Sequence, residues 1–333
     1  LARDNDLRGQ VWNDSEGVLI DAWAPDDAIE RFVQQLLKHP PPLARIEGVE
    51  RTLLEPGAAA PGQFEIVQSA SGTVRTSVPP DTATCPECLA ETLDADDRRY
   101  RYPFTNCTHC GPRLSIVKAI PYDRANTSMD SFRLCPQCRE EYENPADRRF
   151  HAQPNACHRC GPRVWLENRE AECMQPDQGE DAIQAAVRLI REGYIVAIKG
   201  LGGVHLCCDA TCAEVVERLR QRKKRYQKAL ALMARDIAMI ERFARVTRQE
   251  ATLLQQGSAP IVVLQAGGEL LPDALAPGQG TLGFMLPYTP LHHLLMQDME
   301  APLVMTSGNL SEEPQSIDNQ DTRQRLGAIA DYF

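Results

Sequence analysis

Hydrophobic and polar residues alternate near the start of the chain in a pattern typical of half-buried strands. The runs 7–13 (LRGQVWN) and 17–24 (GVLIDAWA) both show this alternation. The residues between them, 14–17 (DSEG), are of types that favour tight turns. The pattern therefore predicts a β-hairpin.

A helix is predicted directly after this hairpin, starting at Pro25 and the two aspartates that follow it. Further strand candidates lie at 44–54 and 63–68. Residues 1–70 thus predict a truncated ferredoxin-like α+β domain, whose first strand and most of whose first helix would precede Leu1. The apolar residues at helical spacing are Ile29, Phe32, Val33, Leu36 and Leu37.

A different pattern, in which helix and strand signals alternate, extends over residues 178–333. A segment rich in Ser, Thr and Pro at 69–80 is a predicted linker. The alternation predicts an α/β domain with a large twisted sheet, whose C-terminal edge we expect to lie beyond Phe333. Helices are predicted at 181–193, 213–222, near 236–256 and at 290–299. Strands are predicted at 194–199, 229–234, 259–265, 280–287 and 301–307. One more strand is predicted within 200–210, after a glycine-rich turn.

The intervening residues 81–166 contain eight of the 12 cysteines of the chain. These cysteines form four C-x-x-C pairs, and such a pair directs two thiolates at one tetrahedral metal ion. The spacing predicts zinc in a segment with too few apolar residues to fold alone. The pairs are Cys85 and Cys88, Cys107 and Cys110, Cys135 and Cys138, and Cys157 and Cys160.

The cysteine-rich segment is a tandem repeat with a period of 50 residues. Each copy has four thiolates, so we predict two structural zinc sites in a tandem four-cysteine zinc-finger domain, 81–166. Coordination within each copy is the simpler arrangement, and the spacing leaves a crossed arrangement open. His109, His151 and His158 are not needed as ligands. We predict the remaining cysteines to be buried packing residues; they are Cys173, Cys207, Cys208 and Cys212.

Composition and charge narrow the class of protein. The 333 residues are 43% hydrophobic and 25% charged, as in a globular protein, and the net charge of −10 argues against binding to nucleic acid or membrane by bulk charge. No apolar run is long enough for a membrane span, and the first residues do not form a signal peptide. We therefore expect a cytoplasmic protein with no membrane partner.

Three motifs in the α/β segment carry candidate chemistry. Lys199 begins a glycine-rich turn (KGLGG) after a strand, where bare backbone N–H groups can approach a phosphate. The run 220–228 has six cationic side chains in an otherwise acidic chain. The strand 301–307 ends in hydroxyl and amide side chains, where ligands bind in open α/β sheets. Together they predict a nucleotide-binding cleft.

The zinc repeat (CPEC…NCTHCGPR and CPQC…ACHRCGPR), the KGLGGVHLCCDA turn and the APLVMTSGNLS strand end resemble the HypF family over essentially the whole chain. HypF proteins are carbamoyltransferases that help to make the cyanide ligands of NiFe hydrogenases. The resemblance implies a partial acylphosphatase-like domain (1–70), the zinc fingers, and a YrdC-like nucleotide-binding domain (178–333). It also implies carbamoyl phosphate and ATP with Mg²⁺ as substrates, carbamoyl-AMP as intermediate and the C-terminal cysteine of HypE as acceptor.

The resemblance also assigns roles to residues. Asn13 matches the asparagine that positions water in acylphosphatases. The arginine loop of that site would precede Leu1, so we do not expect this piece to hydrolyse carbamoyl phosphate. Lys199 would lie near the carbamate or the phosphates as a catalytic and nucleotide-binding residue. His205 is a further contact, with a buried core histidine as the alternative. The polyphosphate would be held by Lys223, Arg225 and Lys228, and the nucleotide phosphate and sugar by Thr306, Ser307 and Asn309.

One departure from the family concerns the cationic loop. The family's KPL reads Lys228-Ala229-Leu230 here, and Tyr226 replaces another usual proline. Because proline fixes φ, we expect this loop to be less preorganised and nucleotide binding to be weaker.

Two other classes of protein remain as alternatives. A threonylcarbamoyl-adenylate synthase of tRNA modification would share the YrdC-like domain but does not need the zinc thiolates. A zinc-ribbon module that binds nucleic acid or protein would use the arginines around the zinc sites. We favour internal pairing of these arginines, so nucleic acid is not an expected partner. They are Arg98, Arg99, Arg101, Arg113, Arg148, Arg149 and Arg163.

Overall fold

The computed structural model describes residues 1–13, 17–40, 43–44, 46–54, 60–67, 78–120, 122–310 and 313–333, except for the side chain of Asn13. The chain divides into two compact units. The first comprises Leu1–Pro79 and Val117–Thr127, and the second comprises Pro80–Ile116 and Ser128–Phe333. No helix within the described ranges is long and apolar enough to cross a membrane.

The first unit has a three-stranded sheet and one helix. Its elements are β1 (Arg8–Asn13), β2 (Val18–Trp23), α1 (Asp26–Lys38) and β3 (Phe64–Ile66). The strand order is β2-β1-β3, with β1 antiparallel to β2 and parallel to β3. The helix buries Ala28, Phe32 and Val33 against Leu7, as its apolar spacing predicts. The predicted hairpin and helix are confirmed; the turn residues 14–16 lie outside the described residues.

The strand predicted at 44–54 is wrong. Residues 44 and 46–54 have no strand, and the apolar side chains of Val49, Leu53 and Leu54 are exposed. None of these side chains packs on a core. The alternation of apolar and polar residues therefore has no buried face that would favour a strand here. Most of the predicted linker, 68–77, lies outside the described residues.

The second unit is built on a mixed sheet of seven strands in the described residues, in the order β4-β5-β10-β6-β9-β8-β7. Neighbouring strands are antiparallel except for the parallel pair β6 and β9. This confirms the large sheet predicted for the α/β domain. The strands are β4 (Val196–Gly200), β5 (Gly203–Asp209), β6 (Ala231–Met233), β7 (Ala244–Arg245), β8 (Val262–Ala266), β9 (Thr281–Met285) and β10 (Leu303–Ser307).

Helices cover this sheet and bury its apolar residues in one core. The helix Ala182–Arg191 starts at a capping box, in which the Asp181 carboxylate accepts hydrogen bonds from the backbone N–H groups of Ile183 and Gln184. Gly193 follows the end of this helix with a φ of 87°. The helices of the second unit are α2 (Pro86–Leu93), α3 (Pro136–Glu143), α4 (Ala182–Arg191), α5 (Ala213–Lys223), α6 (Ile237–Glu241), α7 (Arg248–Leu254), α8 (Pro290–Gln297) and α9 (Asn319–Leu326).

The single helix predicted near 236–256 is wrong, because two N-caps divide the segment. Asp236 accepts a hydrogen bond from the Met239 backbone N–H and starts α6. Thr247 forms a capping box with Glu250 and starts α7, and the short strand β7 lies between the two helices. A new cap inside a periodic segment restarts the helix, and hydrophobic spacing alone does not detect it.

The cysteine-rich segment has little regular structure. Helices α2 and α3 each start immediately after the first cysteine of a C-x-x-C pair, with proline at the first helical position. Single-turn 3₁₀ helices lie at Leu114–Ile116 and Ser128–Ser131. This segment contacts loops of the α/β domain directly, since the Ala83 N–H donates to the Gly257 carbonyl at 2.8 Å and the Thr84 N–H donates to the Tyr288 carbonyl at 3.2 Å.

Candidate functional site

The eight paired cysteines form two clusters, one within each copy of the repeat. In the first cluster, Cys85 Sγ lies 3.7 Å from Cys107 Sγ, which lies 3.9 Å from Cys110 Sγ. In the second, Cys157 Sγ lies 3.8 Å from the sulfurs of Cys135 and Cys160. These separations are far too long for a disulfide, and the cysteines are free thiols.

The sulfur separations fit a tetrahedral zinc ion. With zinc–sulfur bonds of about 2.3 Å, the edge of the tetrahedron measures about 3.8 Å. Both clusters therefore match zinc sites with four cysteine ligands, and all four thiols of each cluster come from one copy of the repeat. The histidines beside the pairs belong to neither cluster. His158 Nε2 contacts the Tyr100 carbonyl at 2.9 Å, and the ring of His151 stacks on Tyr142.

The two copies exchange arginines. Arg98 and Arg99 of the first copy form ion pairs with Glu141 of the second, each at 2.6 Å. Arg148 and Arg149 of the second copy form ion pairs with Glu91 of the first. These four arginines thus pair with carboxylates of the zinc-finger segment, as the sequence predicted, and the pairs join one copy of the repeat to the other.

The same arginines also reach the metal-binding thiolates of the other copy. Arg98 Nη2 lies 3.4 Å from Cys138 Sγ, and Arg148 Nη1 lies 3.1 Å from Cys88 Sγ. Four thiolates around one Zn²⁺ would carry a net charge of −2, which these guanidinium groups would offset. Burial alone would raise the pKa of Glu141, but the hydrogen bonds from Arg99 and Arg98 lower that pKa to about 2.

Other arginines near the fingers are also engaged internally. Arg113 is buried and donates to four backbone carbonyls, and Arg101 Nε donates to the Asp181 carboxylate, which caps α4, at 2.6 Å. Arg163, the counterpart of Arg113 in the repeat, is exposed. Most of these guanidinium groups are therefore engaged by other groups of the protein.

Cysteines outside the clusters have varied environments. Cys207 and Cys208 are buried in β5, as predicted, and Cys212 is half-buried. The prediction is wrong for Cys173, which is exposed. It pairs with Glu167 in an isolated β-bridge and not with the core.

A cleft of about 660 Å³ lies at the ends of β5 and β10. Arg225 and Lys228 contribute the cationic side of its lining, and Thr306 and Ser307 contribute from the end of β10. His205 is brought beside them because it is the register partner of Ser307. The zinc-finger segment supplies part of the wall through Asp81, Thr82 and Ala83.

Lys199 is placed apart from this cleft. Lys199 is the register partner of Val204, so the two side chains lie on the same face of the sheet. Val204 precedes His205 in β5, and adjacent residues of a strand point to opposite faces. Lys199 and His205 therefore lie on opposite faces. Lys199 therefore lines a second cavity of about 680 Å³, which is mostly apolar and includes Phe104 and Trp165. Its ammonium group donates to Asn319 Oδ1 at 2.8 Å.

Lys223 and Asn309 lie behind the lining of the cleft. The buried ammonium group of Lys223 donates to the carbonyls of Ser307 and Asn309, both at 2.6 Å, and to Asn309 Oδ1 at 2.9 Å. Burial lowers the pKa of Lys223 to about 8. The Asn309 amide in turn donates to the Glu313 carbonyl. This arrangement holds the loop after β10 in place.

The cationic loop, which contains Tyr226 and Ala229, is held by hydrogen bonds. Arg225 Nη2 donates to the Ala229 carbonyl at 2.7 Å, and the buried Arg220 donates to the carbonyls of Arg225 and Lys228. Sequence reasoning counted Arg220 only as one of six charges. Its position on the buried face of α5, beside Leu219 and Val216, was a signal that it supports the loop from inside.

His205 lines the cleft beside Tyr288, and behind it lies the fully buried His292. Burial lowers the pKa of His205 to about 4 and holds the pKa of His292 well below its ordinary value. Both imidazoles are neutral near pH 7. Sequence analysis did not identify His292. Asn13 ends β1 in the first unit, and its side chain lies outside the described residues.

Comparisons with known proteins agree with this architecture. Family models described as "Acylphosphatase", "HypF finger" and "Telomere recombination" (Sua5, YciO and YrdC) match residues 1–66, 84–117 with 134–167, and 188–333. The chain is 51% identical over its full length to carbamoyltransferase HypF of Rhodobacter capsulatus. A crystal structure of full-length HypF in the phosphate- and nucleotide-bound form matches the whole chain with a TM-score of 0.92 and 43% identity.

The chain spans 43% of the length of each of these two relatives. Over 45% of its residues it is also 30% identical to human threonylcarbamoyl-AMP synthase, covering 56% of that protein.

An acylphosphatase-like domain, paired four-cysteine zinc fingers and a YrdC-like domain, in this order, define a class of multidomain protein. The chain has this domain order and is similar over its full length to carbamoyltransferase HypF proteins.

The two clusters predict the metal content. The folded chain should contain about two zinc ions, measured by elemental mass spectrometry on protein of known concentration. Cys88→Ser should lose metal because it removes a ligand, whereas Cys173→Ser, at an exposed cysteine outside both clusters, should retain two. A folded protein without zinc would contradict the assignment.

The exchanged arginines predict a large stability effect. Arg99→Ala should lower the free energy of unfolding by about 3 kcal/mol, because Arg99 is only 2% exposed and its loss weakens a buried ion pair. Arg139→Ala is the control, since its pair with Glu143 within α3 is exposed, and it should change stability by less than about 0.5 kcal/mol. Chemical denaturation of zinc-loaded protein measures both, and equal effects would rule out the proposed importance of the exchange.

Proposed function

We propose that the cleft between the zinc fingers and the α/β sheet binds ATP with Mg²⁺ and joins carbamate to AMP. The observation that carries this proposal is the convergence of Arg225, Lys228, Ser307 and His205 on one cleft. Two cations suit a polyphosphate, and a serine hydroxyl at a strand end suits a phosphate or sugar oxygen.

In the proposed reaction, a carbamate oxygen attacks the α-phosphorus of ATP in line. A new oxygen–phosphorus bond forms, the bond to the β-phosphate oxygen breaks, and pyrophosphate leaves with the electron pair. Arg225 and Lys228 bind the leaving phosphates and offset their negative charge. Lys223 and Asn309 act as positioning residues, because their hydrogen bonds fix the loop that follows Ser307.

The other sequence predictions are proposals about the reaction cycle. Carbamoyl phosphate would supply the carbamate. Asn13 is the counterpart of the residue that positions water in that step, which we do not expect this piece to carry out by itself. Carbamoyl-AMP would then carbamoylate the C-terminal cysteine of HypE, toward the cyanide ligands of NiFe hydrogenase. These proposals rest on the likeness to curated carbamoyltransferases. We retain Lys199 as a proposed carbamate or phosphate contact from the neighbouring cavity.

A second candidate function follows from the 30% identity to threonylcarbamoyl-AMP synthase. That reaction forms a similar mixed anhydride with AMP from a larger acid. Dependence on threonine in addition to bicarbonate would favour this alternative, and activity with carbamate alone favours carbamoyl-AMP formation.

The proposed adenylation predicts exchange of labelled pyrophosphate into ATP that depends on ammonium carbamate. Arg225→Gln should weaken ATP binding about tenfold or more, because it removes a charge-assisted contact to phosphate. Arg248→Gln is a matched control, since it makes the same change at an exposed arginine outside the cleft. Absence of exchange in folded, zinc-loaded chain, or equal effects of the two variants, would refute the proposal.

A further inference from the structure

A buried arginine, Arg220, lies behind the cationic side of the cleft. It belongs to α5, and only 3% of its surface is exposed. Burial lowers the pKa of Arg220, and the nearby charge of Arg225 lowers it further. Arginine stays protonated in proteins even so, and a full positive charge is therefore buried here. Such a charge is costly to bury unless its N–H groups are bonded.

The acceptors of this guanidinium group are backbone carbonyls of two separate segments. Arg220 Nη1 donates to the Arg225 carbonyl at 2.6 Å and to the Lys228 carbonyl at 3.3 Å. Its Nη2 donates to the Leu275 carbonyl at 3.2 Å, and its Nε donates to the Ala274 carbonyl. One planar group therefore joins the cationic loop to the single-turn 3₁₀ helix that follows β8.

Backbone hydrogen bonds reinforce these contacts at both ends of the loop. The Arg225 N–H donates to the Arg220 carbonyl at 3.1 Å, so Arg220 binds both the N–H and the carbonyl of Arg225. The Leu275 carbonyl also accepts the N–H of Leu230, where the loop leads into β6. Each end of the loop is thus fixed at Arg220 or at a carbonyl that Arg220 binds.

The loop held in this way carries the two cations that line the cleft, Arg225 and Lys228. Because Arg220 binds the backbone of both residues, their side chains extend from a fixed base. Cations whose positions are set in advance bind a polyphosphate more tightly than mobile ones, since less conformational entropy is lost on binding. The acceptors of Arg220 are neutral carbonyls, so the three positive charges together favour an anion in the cleft.

We propose that Arg220 is a positioning residue of the phosphate site, which fixes the loop so that Arg225 and Lys228 meet the β- and γ-phosphates of ATP. This inference rests on the proposed binding of ATP in the cleft. Arg220 is not one of the described residues that line the cleft, so it acts through the loop and does not touch the nucleotide. AMP lacks both of these phosphates, and its binding therefore does not depend on Arg220.

The test compares two nucleotides on the full 333-residue chain with zinc bound. Titration calorimetry measures the affinity for a non-hydrolysable ATP analogue and for AMP. Arg220→Met removes the donors and keeps an apolar stem, and it should weaken binding of the ATP analogue about tenfold or more. Its affinity for AMP should change less than about twofold. An equal loss for the two nucleotides would overturn the positioning role, because general damage to the cleft affects both.

Two further variants complete the comparison. Arg218→Met is the matched control, since Arg218 lies on the same helix and donates to the Gly193 carbonyl, away from the cleft. It should bind both nucleotides as the unmodified chain does. Arg220→Lys keeps the charge but cannot join two segments through one planar group, so it should also lose affinity for the ATP analogue and retain affinity for AMP. This variant decides the question if Arg220→Met does not fold, and full affinity for the analogue would then overturn the proposal.

Pyrophosphate exchange supplies a kinetic readout of the same role. Arg220→Met should raise KM for pyrophosphate, which occupies the place of the leaving phosphates, and leave KM for carbamate unchanged. An equal rise in both values would indicate a general structural effect and contradict the proposal.

The positioning role and the proposed function fail in different ways. An unmodified chain that binds no ATP analogue refutes both. An unmodified chain that binds the analogue and exchanges pyrophosphate, with Arg220→Met equal to it in both measurements, overturns the positioning role alone and leaves adenylation standing.

Discussion

The exchange of arginines between the two copies of the zinc repeat is the interaction on which the second unit depends. Each copy supplies guanidinium groups that bind a glutamate of the other copy and reach one of its metal-binding thiolates. A cluster of four thiolates carries excess negative charge even with zinc bound, and few apolar residues surround it. Neither copy therefore supplies all the guanidinium groups that offset the charge of its own cluster. We infer that the two copies stabilise each other.

The pair of fingers in turn shapes the cleft. Asp81 accepts hydrogen bonds from the backbone N–H groups of Arg113 and Ser115, which follow the first cluster. Thr82 and Ala83 then form part of the cleft wall, and the Ala83 N–H is bound to the Gly257 carbonyl of the α/β domain. The zinc-finger segment thus forms part of the wall of a candidate substrate site. This structural role explains why metal sites that have no open coordination position lie close to the cleft.

Local signals in the sequence predicted much of this arrangement. The C-x-x-C spacing, the period of 50 residues and the capped helix at 181–193 depend on neighbouring residues, and the structure confirms them. The sequence grouped Lys199 with Arg225, and the structure places them at different cavities. The difference arises from strand register, because a shift of one residue moves a side chain to the other face of the sheet. No local sequence pattern contains the register. His292 was missed for a similar reason. Its position beside His205 depends on where α8 meets β5 in space, and the sequence around it is typical of an ordinary apolar helix.

The dependence of the cleft on the metal sites can be tested by removing zinc with a selective chelator while Mg²⁺ is kept in excess. Affinity for a non-hydrolysable ATP analogue and amide hydrogen exchange at Ala83 and Thr84 would be followed together. We predict that affinity falls as zinc leaves and that these amides lose protection at the same metal content. Unchanged nucleotide affinity in zinc-free chain that retains its sheet would contradict the account.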